Sequence, residues 1–164
     1  MERIHIGLGT NLGELEKNLE RALGLLSRKF NLVRVSSFYE TIPLNADGPN
    51  YLNAVALART DLSPEKALKK LLEVENLMGR KRPYPNAPRL IDLDLLTYND
   101  LVINTGNLVL PHPGIKKRLF VLVPLEEIDP DFIFPGTGES IKELLSGFSP
   151  DEKKHAVISR REFS

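Results

Sequence analysis

Two aspartates one residue apart, Asp92 and Asp94, interrupt the apolar stretch RLIDLDLL at residues 89–96. Side chains alternate across a strand, so both carboxylates project from one face while the aliphatic residues between them line the other. Two carboxylates this close repel each other unless positive charge lies beside them. Mg²⁺ supplies such charge, since it is commonly held by one or two carboxylates together with substrate phosphates and water. Taken alone, such a pair is more often a solvated strand face or a partner of arginines.

Basic residues lie on both sides of the aspartates in the sequence. They are Arg80, Lys81, Arg82 and Arg89 in the upstream stretch GRKRPYPNAPR, and Lys116, Lys117 and Arg118 after His112 in the downstream stretch LPHPGIKKRLF. Arginine forks bind phosphate oxygens and stabilise the charge that spreads during phosphoryl transfer. The prolines of the upstream stretch exclude regular structure and favour a loop that closes over a substrate. The alternatives are a solvated basic loop and a surface or hydrogen-bonding role for the histidine.

A site for a flat heterocycle is indicated between residues 39 and 53. Tyr51 and Asn53 share one face of a predicted strand, and TIPL at residues 41–44 is an extended segment restricted by its proline. An aromatic ring, an amide and exposed backbone N–H and C=O groups are what the edge of a pterin or purine requires. The alternative is that Tyr51 belongs to the core and Asn53 is a polar residue that faces a turn.

The composition is that of an ordinary globular chain and excludes several classes of site. Its 164 residues contain 22 basic and 22 acidic side chains, so no global field favours nucleic acid or an anionic membrane. The absence of cysteine excludes disulfides, a thiolate nucleophile and a cysteine-based zinc site. Neither a secretory signal nor a bilayer-spanning stretch is found, which predicts a cytoplasmic protein. GLGTNLG lacks the glycine spacing of a dinucleotide fingerprint, and PGTGES lacks the lysine of a P-loop.

The elements that must position these residues follow from hydrophobic periodicity. Strands are expected at residues 3–8, 32–39, 51–59 and 89–96. The first helix is expected to begin with Asn11 as its N-cap and Glu14 three residues later. The second is expected to begin after Ser63 and to end at Gly79.

The resulting order, β-α-β-β-α-β, is the ferredoxin-like split βαβ pattern. It predicts an α+β fold in which two helices pack on one face of an antiparallel sheet. Residues 99–164 are expected to decorate this core as C-terminal additions, including a short helix capped by Ser140. Residues 1–164 are therefore expected to form a single domain.

Several of these motifs resemble those of a known family. APRLIDLDLL resembles the signature of the 6-hydroxymethyl-7,8-dihydropterin pyrophosphokinases, and GTNLG, SSFYET, YLNAVA, VIN, LPH and VLVPL fall in that family's order. The resemblance implies a ferredoxin-like α+β fold and an ATP-dependent enzyme of folate biosynthesis. It also implies transfer of the terminal pyrophosphoryl group of ATP to the pterin hydroxymethyl group, with release of AMP.

The resemblance also assigns roles to individual residues, as expectations. Two Mg²⁺ ions would be held by Asp92 and Asp94, and transfer would be assisted by Arg80, Arg82 and Arg89. ATP would be contacted by Glu75, Arg82, Arg89, Leu95, His112, Lys116 and Arg118. The pterin would lie against Thr41, Ile42, Pro43, Leu44, Tyr51, Asn53 and Phe120. No strong general base is evident, and Asp94 is the candidate for orienting or deprotonating the acceptor hydroxyl. The partners are two small molecules, ATP and the pterin, and the enzyme is expected to be a monomer.

The sequence departs from the family pattern in the upstream loop. Where relatives carry a basic residue, an aromatic and a glycine, this chain has Pro85, Asn86 and Ala87, and it contains no tryptophan. Tyr84 is the candidate replacement for the missing ring, and Pro113 follows the histidine where relatives carry a tyrosine or a similar residue.

Two other classes of function fit parts of the pattern. One is a non-catalytic ferredoxin-like ligand-binding module, which would not need paired acids flanked by basic clusters. The other is a metal-dependent phosphohydrolase, which should carry more acids or histidines to activate water.

Overall fold

An antiparallel sheet forms the centre of the protein. The computed structural model describes residues 1–43, 48–79 and 89–161. The strands of the main sheet are β1 (Glu2–Thr10), β2 (Asn31–Val35), β3 (Phe38–Thr41), β4 (Tyr51–Thr60), β5 (Asp92–Tyr98) and β8 (Val157–Arg161). A small separate hairpin consists of β6 (Ile103–Asn104) and β7 (Val109–Leu110). The helices are α1 (Leu15–Leu26), α2 (Pro64–Leu77), α3 (Leu119–Ile128), α4 (Ile141–Ser146) and α5 (Pro150–Ala156), with a 3-10 turn at Ile115–Lys117.

The strand order confirms the predicted ferredoxin-like core. The sheet runs β5-β1-β4-β3-β8, and β2 also pairs with β4. The single strand predicted at residues 32–39 is wrong, because β2 and β3 are separated at Ser36 and Ser37. The Ser36 hydroxyl donates to the Ser37 carbonyl at 2.8 Å and accepts from the Val55 N–H at 2.9 Å. Serine hydroxyls compete in this way with ladder hydrogen bonds, and the strand breaks there.

Both faces of the sheet are covered by apolar side chains. On one face Ile4, Ile6 and Leu8 of β1 pack in a cluster with buried residues of α1 and α2. This confirms the predicted pair of helices on one face. The other face carries a second cluster, which contains Val55 of β4 and most of α3. The residues after the core therefore cover the sheet face that the two crossover helices leave open.

The predicted helix starts are confirmed for two helices and wrong for a third. Ser63 and Ser140 are N-caps whose hydroxyls accept backbone N–H bonds from the first turns of α2 and α4. Helix α1 instead begins after Glu14, which makes no side-chain capping bond. The amide of Asn11 is used elsewhere: its oxygen accepts from the backbone N–H of Arg89 at 2.6 Å. None of the helices in the described ranges has the length and apolar character needed to cross a membrane.

A buried polar cluster ties the end of α3 to the sheet. His5 is 1% exposed, and its Nε2 lies 2.9 Å from Oδ2 of Asp129, the residue that ends α3. Its Nδ1 lies 2.7 Å from the Thr97 hydroxyl. Burial lowers the pKa of His5, and the hydrogen bond to Asp129 only partly offsets this. A neutral imidazole that donates from Nε2 and accepts at Nδ1 satisfies both partners.

We expect Asp129→Ala to lower the free energy of unfolding by about 1–3 kcal/mol, because the buried His5 N–H loses its acceptor. The melting temperature should fall by roughly 2–4 °C for each kcal/mol, as measured by thermal denaturation. Asp131→Ala is the matched control, since Asp131 is an exposed acid two residues away. Equal melting temperatures for the two variants would contradict the prediction.

Candidate active site

One cavity, of about 240 Å³, opens on the α3 face of the sheet at the end of β1 and β4. Its walls come from four strands, the segment after β3 and the start of α3. The lining residues are Gly7, Leu8, Gly9, Thr41, Ile42, Pro43, Tyr51, Asn53, Ala54, Arg89, Asp92, Asp94, Arg118, Phe120 and Val121. The cavity thus brings the predicted heterocycle residues and the predicted metal ligands together.

The floor of the cavity is bare backbone from β1. Gly9 pairs with Asn53 of β4 on one side and with Asp92 of β5 on the other, and Gly7 pairs with Asp94. A Cβ atom at residue 9 would lie 2.8 Å from Oδ1 of Asn53. Glycine is required at this position because another residue would push against the amide that lines the cavity.

We expect Gly9→Ala to raise the KM for the heterocyclic substrate about tenfold, because overpacking costs about 1–3 kcal/mol and would displace the Asn53 amide. Initial rates at varied heterocycle concentration provide the measurement. Gly24→Ala is the control, since Gly24 lies on α1 away from the cavity and a Cβ there would meet no atom within 4 Å. If both variants raise this KM equally, close approach to Asn53 is not the reason.

Asn53 and Thr41 lie side by side on the cavity wall where the sequence predicts a heterocycle. Nδ2 of Asn53 donates a hydrogen bond to Oγ1 of Thr41, and both side chains are buried. Tyr51 is half-buried and Ile42 is partly exposed at the mouth. The backbone N–H of Ile42 donates to the carbonyl oxygen of Ala156 at 3.1 Å. The expectation that TIPL offers its backbone N–H groups to a ligand therefore does not hold at Ile42, whose donor is already used.

The two aspartates have different surroundings. Oδ2 of Asp92 accepts from Nη1 of Arg89 at 2.9 Å, and both side chains are about one-fifth exposed. Oδ1 of Asp94 lies 3.7 Å from Nε2 of His112. The pKa of Asp94 is raised mainly by burial and then by the negative charge of Asp92. The positive charges of His112, Arg118 and Arg89 offset this rise only in part. Burial lowers the pKa of His112 despite the charge of Asp94. Asp92 is thus ion-paired with Arg89, whereas nearby positive charge only partly compensates the negative charge of Asp94.

Arg89 is fixed at the entry to β5 by Asn11. The Asn11 backbone N–H donates to the Arg89 carbonyl at 2.9 Å, its side-chain oxygen accepts from the Arg89 N–H, and its Nδ2 donates to the Pro49 carbonyl. Nε of Arg89 and Nδ1 of His112 are buried and have no hydrogen-bond partner among the described residues. Two buried polar atoms near the acids therefore have unused hydrogen-bonding capacity within the described part of the chain.

The acids fit Mg²⁺ in its usual mode. Among the described residues no group of three or more acidic or histidine side chains forms a closed metal cage. Mg²⁺ does not need one, since it is typically held by one or two carboxylates and by substrate phosphates. Asp92 and Asp94 supply two carboxylates on one wall of the cavity.

The other predicted residues do not all lie on this cavity. Glu75 is 1% exposed and accepts the backbone N–H of Leu93 at 2.9 Å, and Leu95 is buried in the helix-side cluster. Lys116 forms an ion pair with Glu139 at 2.6 Å and lines, with His112, a neighbouring cavity. Leu44, Arg80, Arg82 and Tyr84 lie outside the described residues.

Sequence reasoning missed several parts of the cavity. It assigned no role to Gly7, Leu8, Gly9, Ala54 or Val121. A signal for the glycines was present, because residues 7 and 9 share one face of a predicted strand. In the sequence that spacing resembles only an incomplete dinucleotide fingerprint.

The fold and the cavity can be compared with known proteins. A family model described as 7,8-dihydro-6-hydroxymethylpterin-pyrophosphokinase matches residues 5–130. A 2-amino-4-hydroxy-6-hydroxymethyldihydropteridine pyrophosphokinase from Haemophilus influenzae is 41% identical over 148 residues, which cover 88% of this chain and 92% of that protein. The protein of the same name from Synechocystis sp. is 38% identical over 142 residues, which cover 85% of this chain and 73% of that protein.

A solved structure supports the fold. The wild-type HPPK-DHPS of Plasmodium falciparum matches 96% of this chain with a TM-score of 0.77 and 16% identity. The chain spans about half of that structure, 47% of its length. The resemblance read from the sequence is confirmed by the family model and by the relatives. The chain belongs to the 7,8-dihydro-6-hydroxymethylpterin-pyrophosphokinase family.

Proposed function

We propose that the cavity above Gly7 and Gly9 is where this chain transfers pyrophosphate from ATP to 6-hydroxymethyl-7,8-dihydropterin. The activity follows from the family: the chain is an ATP-dependent pyrophosphokinase of folate biosynthesis, with ATP as co-substrate. The location rests on one observation. A buried amide and an aromatic ring on β4 lie in the same cavity as two acids on β5, separated only by glycine backbone.

We propose that the pterin binds on the β4 side of the floor. Asn53 and Thr41 would meet the polar edge of the ring, while Tyr51, Ile42, Pro43 and Phe120 provide apolar surface. The fixed hydrogen bond between Asn53 and Thr41 supports this, because it orients the amide before any ligand arrives. Leu44, which lies outside the described residues, remains a predicted contact.

The phosphates would lie on the β5 side, among the charged groups. Arg89 and Arg118 line the cavity there, and His112 approaches Asp94 from the adjacent loop. Guanidinium groups neutralise charge that spreads over phosphate oxygens during transfer. Arg80 and Arg82 remain predicted phosphate contacts. Glu75, Leu95 and Lys116 remain predicted neighbours of the nucleoside, and the burial of the first two limits them to indirect or backbone contacts.

We propose that Asp92 and Asp94 hold Mg²⁺, with two ions in the complete complex. The metal would supply charge neutralisation on the phosphate oxygens and would orient them for in-line displacement. Arg89 fixes the direction of the Asp92 carboxylate through its bond to Oδ2.

The acceptor hydroxyl needs a group that receives or orients its proton. Asp94 lines the cavity close to the floor, and an ionised carboxylate only accepts hydrogen bonds, so it can receive one from the hydroxyl. We propose that Asp94 accepts a hydrogen bond from the hydroxyl, whose oxygen then attacks the β-phosphorus as AMP departs.

We further propose that residues 1–164 form a single pyrophosphokinase domain that acts as a cytoplasmic monomer. The main sheet supports the first point, since its strands come from both ends of the described chain, β1 and β8. The cysteine-free sequence suits a reducing compartment.

The deciding experiment is incubation with ATP, Mg²⁺ and the hydroxymethyl dihydropterin, followed by separation of the products. Stoichiometric AMP and a pyrophosphorylated pterin support the proposal. ADP or orthophosphate would indicate a phosphohydrolase or another kinase, and the absence of any turnover would favour a non-catalytic module.

A further inference from the structure

The C-terminal strand β8 lies directly against the segment assigned to the pterin. Thr41 at the end of β3 pairs with Tyr51 on one side and with Val157 of β8 on the other. The next residue, Ile42, donates its N–H to the Ala156 carbonyl at 3.1 Å. The backbone of the pterin wall is therefore hydrogen-bonded to the C-terminal segment at the point where it enters the cavity.

This strand lies beyond the part of the chain that the family model matches. The match ends at residue 130, whereas β8 covers Val157–Arg161. The strand also lies on the sheet edge opposite β5, which carries the two acids. A change in β8 should therefore affect binding on the pterin side of the cavity more than binding on the phosphate side.

Arg160 fastens β8 to the core. Its Nε donates to the Ser37 hydroxyl at 2.9 Å, and its Nη2 lies 3.1 Å from Oε2 of Glu127 on α3. The same carboxylate accepts from the Ser37 N–H at 2.9 Å and from the Tyr39 hydroxyl at 2.7 Å. Charge-assisted hydrogen bonds from one guanidinium thus connect β8 both to Ser37, the residue just before β3, and to α3.

Apolar contacts hold the other end of the strand. Ala156 and Val157 pack against the α3-side cluster, and so does Phe120, which lines the cavity. The preceding helix α5 begins with a capping box between Ser149 and Glu152 and buries none of its residues. That helix therefore leads the chain to the edge of β3. The strand β8 is held at this edge by its own contacts.

We propose that β8, fastened by Arg160, is a positioning element that sets the affinity for the pterin by holding Thr41 and Ile42. This inference rests on the proposed location of the pterin. It makes Arg160 a positioning residue, because its side chain contacts Ser37 and Glu127 and does not line the cavity.

The test is the kinetics of the full-length Arg160→Ala variant with each substrate varied in turn. We expect the KM for the pterin to rise about five- to tenfold, as for the loss of one charge-assisted contact, with kcat and the KM for ATP within about twofold of wild type. Arg59→Ala is the matched control, because Arg59 is an exposed arginine at the far end of β4. That variant should match wild type in all three parameters.

A reversible crosslink provides the second measurement. Glu40 and Ser159 face each other across β3 and β8, and the chain contains no cysteine. Glu40→Cys and Ser159→Cys, added to Arg160→Ala, place two thiols at a cross-strand spacing that a disulfide spans. In this triple variant we expect the KM for the pterin to be raised while the disulfide is reduced. When the disulfide is formed, the KM should return to within about twofold of wild type.

The outcomes separate this inference from the proposed function. An unchanged pterin KM in Arg160→Ala would overturn the inference, as would an equal rise in both KM values or a loss confined to kcat. A raised pterin KM that persists with the disulfide closed would also overturn it. If the wild-type chain forms no AMP from ATP and the pterin, the proposed function fails instead.

Discussion

Replacing Asp94 with asparagine is expected to lower turnover by about 10²–10³-fold, the usual cost of removing one group that stabilises charge in a transition state. The carboxylate lines the cavity beside Asp92 and is the proposed acceptor for the hydroxyl proton. Quenched-flow measurement of AMP formation at saturating ATP and pterin would give the rate of the chemical step. Near-normal turnover with Mg²⁺ still bound would show that the proton-accepting role is wrong.

The same substitution should leave the melting temperature equal to or above that of the wild type in the absence of metal. Burial and the charge of Asp92 raise the pKa of Asp94 in the folded state above its unfolded value. Between these two pKa values the folded state binds more protons, so stability falls as the pH rises through that window and stays lower at neutral pH. An asparagine does not ionise and avoids this cost. Asp100→Asn, at an exposed acid, is the control for thermal denaturation at pH 7.

Arg89→Ala should reduce kcat by about 10²–10³-fold while the backbone around residue 89 is retained. The side chain holds Asp92 at 2.9 Å and is the described cation nearest to that acid on the cavity wall. Its removal leaves two acids side by side with less positive charge, which raises the pKa of Asp94 further. The backbone should stay in place, because Asn11 binds the N–H and the carbonyl of residue 89 rather than the guanidinium. Single-turnover rates and calorimetric ATP titrations with Mg²⁺ provide the measurement.

Arg89→Lys separates charge from geometry at this position. Lysine keeps the positive charge but cannot fork between a carboxylate and a phosphate. We therefore expect it to recover less than about a tenth of the wild-type kcat, since loss of a bidentate contact of about 1.4 kcal/mol or more costs tenfold. Full activity of the lysine variant would mean that charge alone suffices. Loss of the folded state in either variant would show that Arg89 is structural.

The parts of the fold that depend on local sequence were predicted well. Alternation in RLIDLDLL placed Asp92 and Asp94 on one face, and the structure puts both on the cavity wall. Ser63 before a proline marked the start of α2. These features are decided within a few residues, where side-chain period and capping chemistry act directly.

Three contacts between distant parts of the chain were not predicted, although the pairing of the core strands was. β8 joins the sheet through contacts with β3, more than a hundred residues earlier, and its short sequence carries no signal for that partner. Asn11 looks like a helix cap because its neighbours fit a capping box, yet its side chain binds the backbone of Arg89 just before β5. Glu75 stays a predicted neighbour of the nucleoside, but nothing in the sequence indicates that its buried carboxylate accepts the backbone N–H of Leu93. In each case a polar group took the partner that tertiary packing offered.

The glycine floor has a consequence for which acceptors the enzyme can use. Gly9 separates Asn53 from Asp92 by two strand spacings, and each is about 4.8 Å because backbone hydrogen bonds set it. The distance between the wall proposed to bind the ring and the two acids is therefore roughly 10 Å, and side-chain mutations do not change it. With the pterin and the phosphates in their proposed places, an acceptor must carry its hydroxyl at the distance from its ring that this spacing sets, so the backbone of the sheet would select acceptors by arm length.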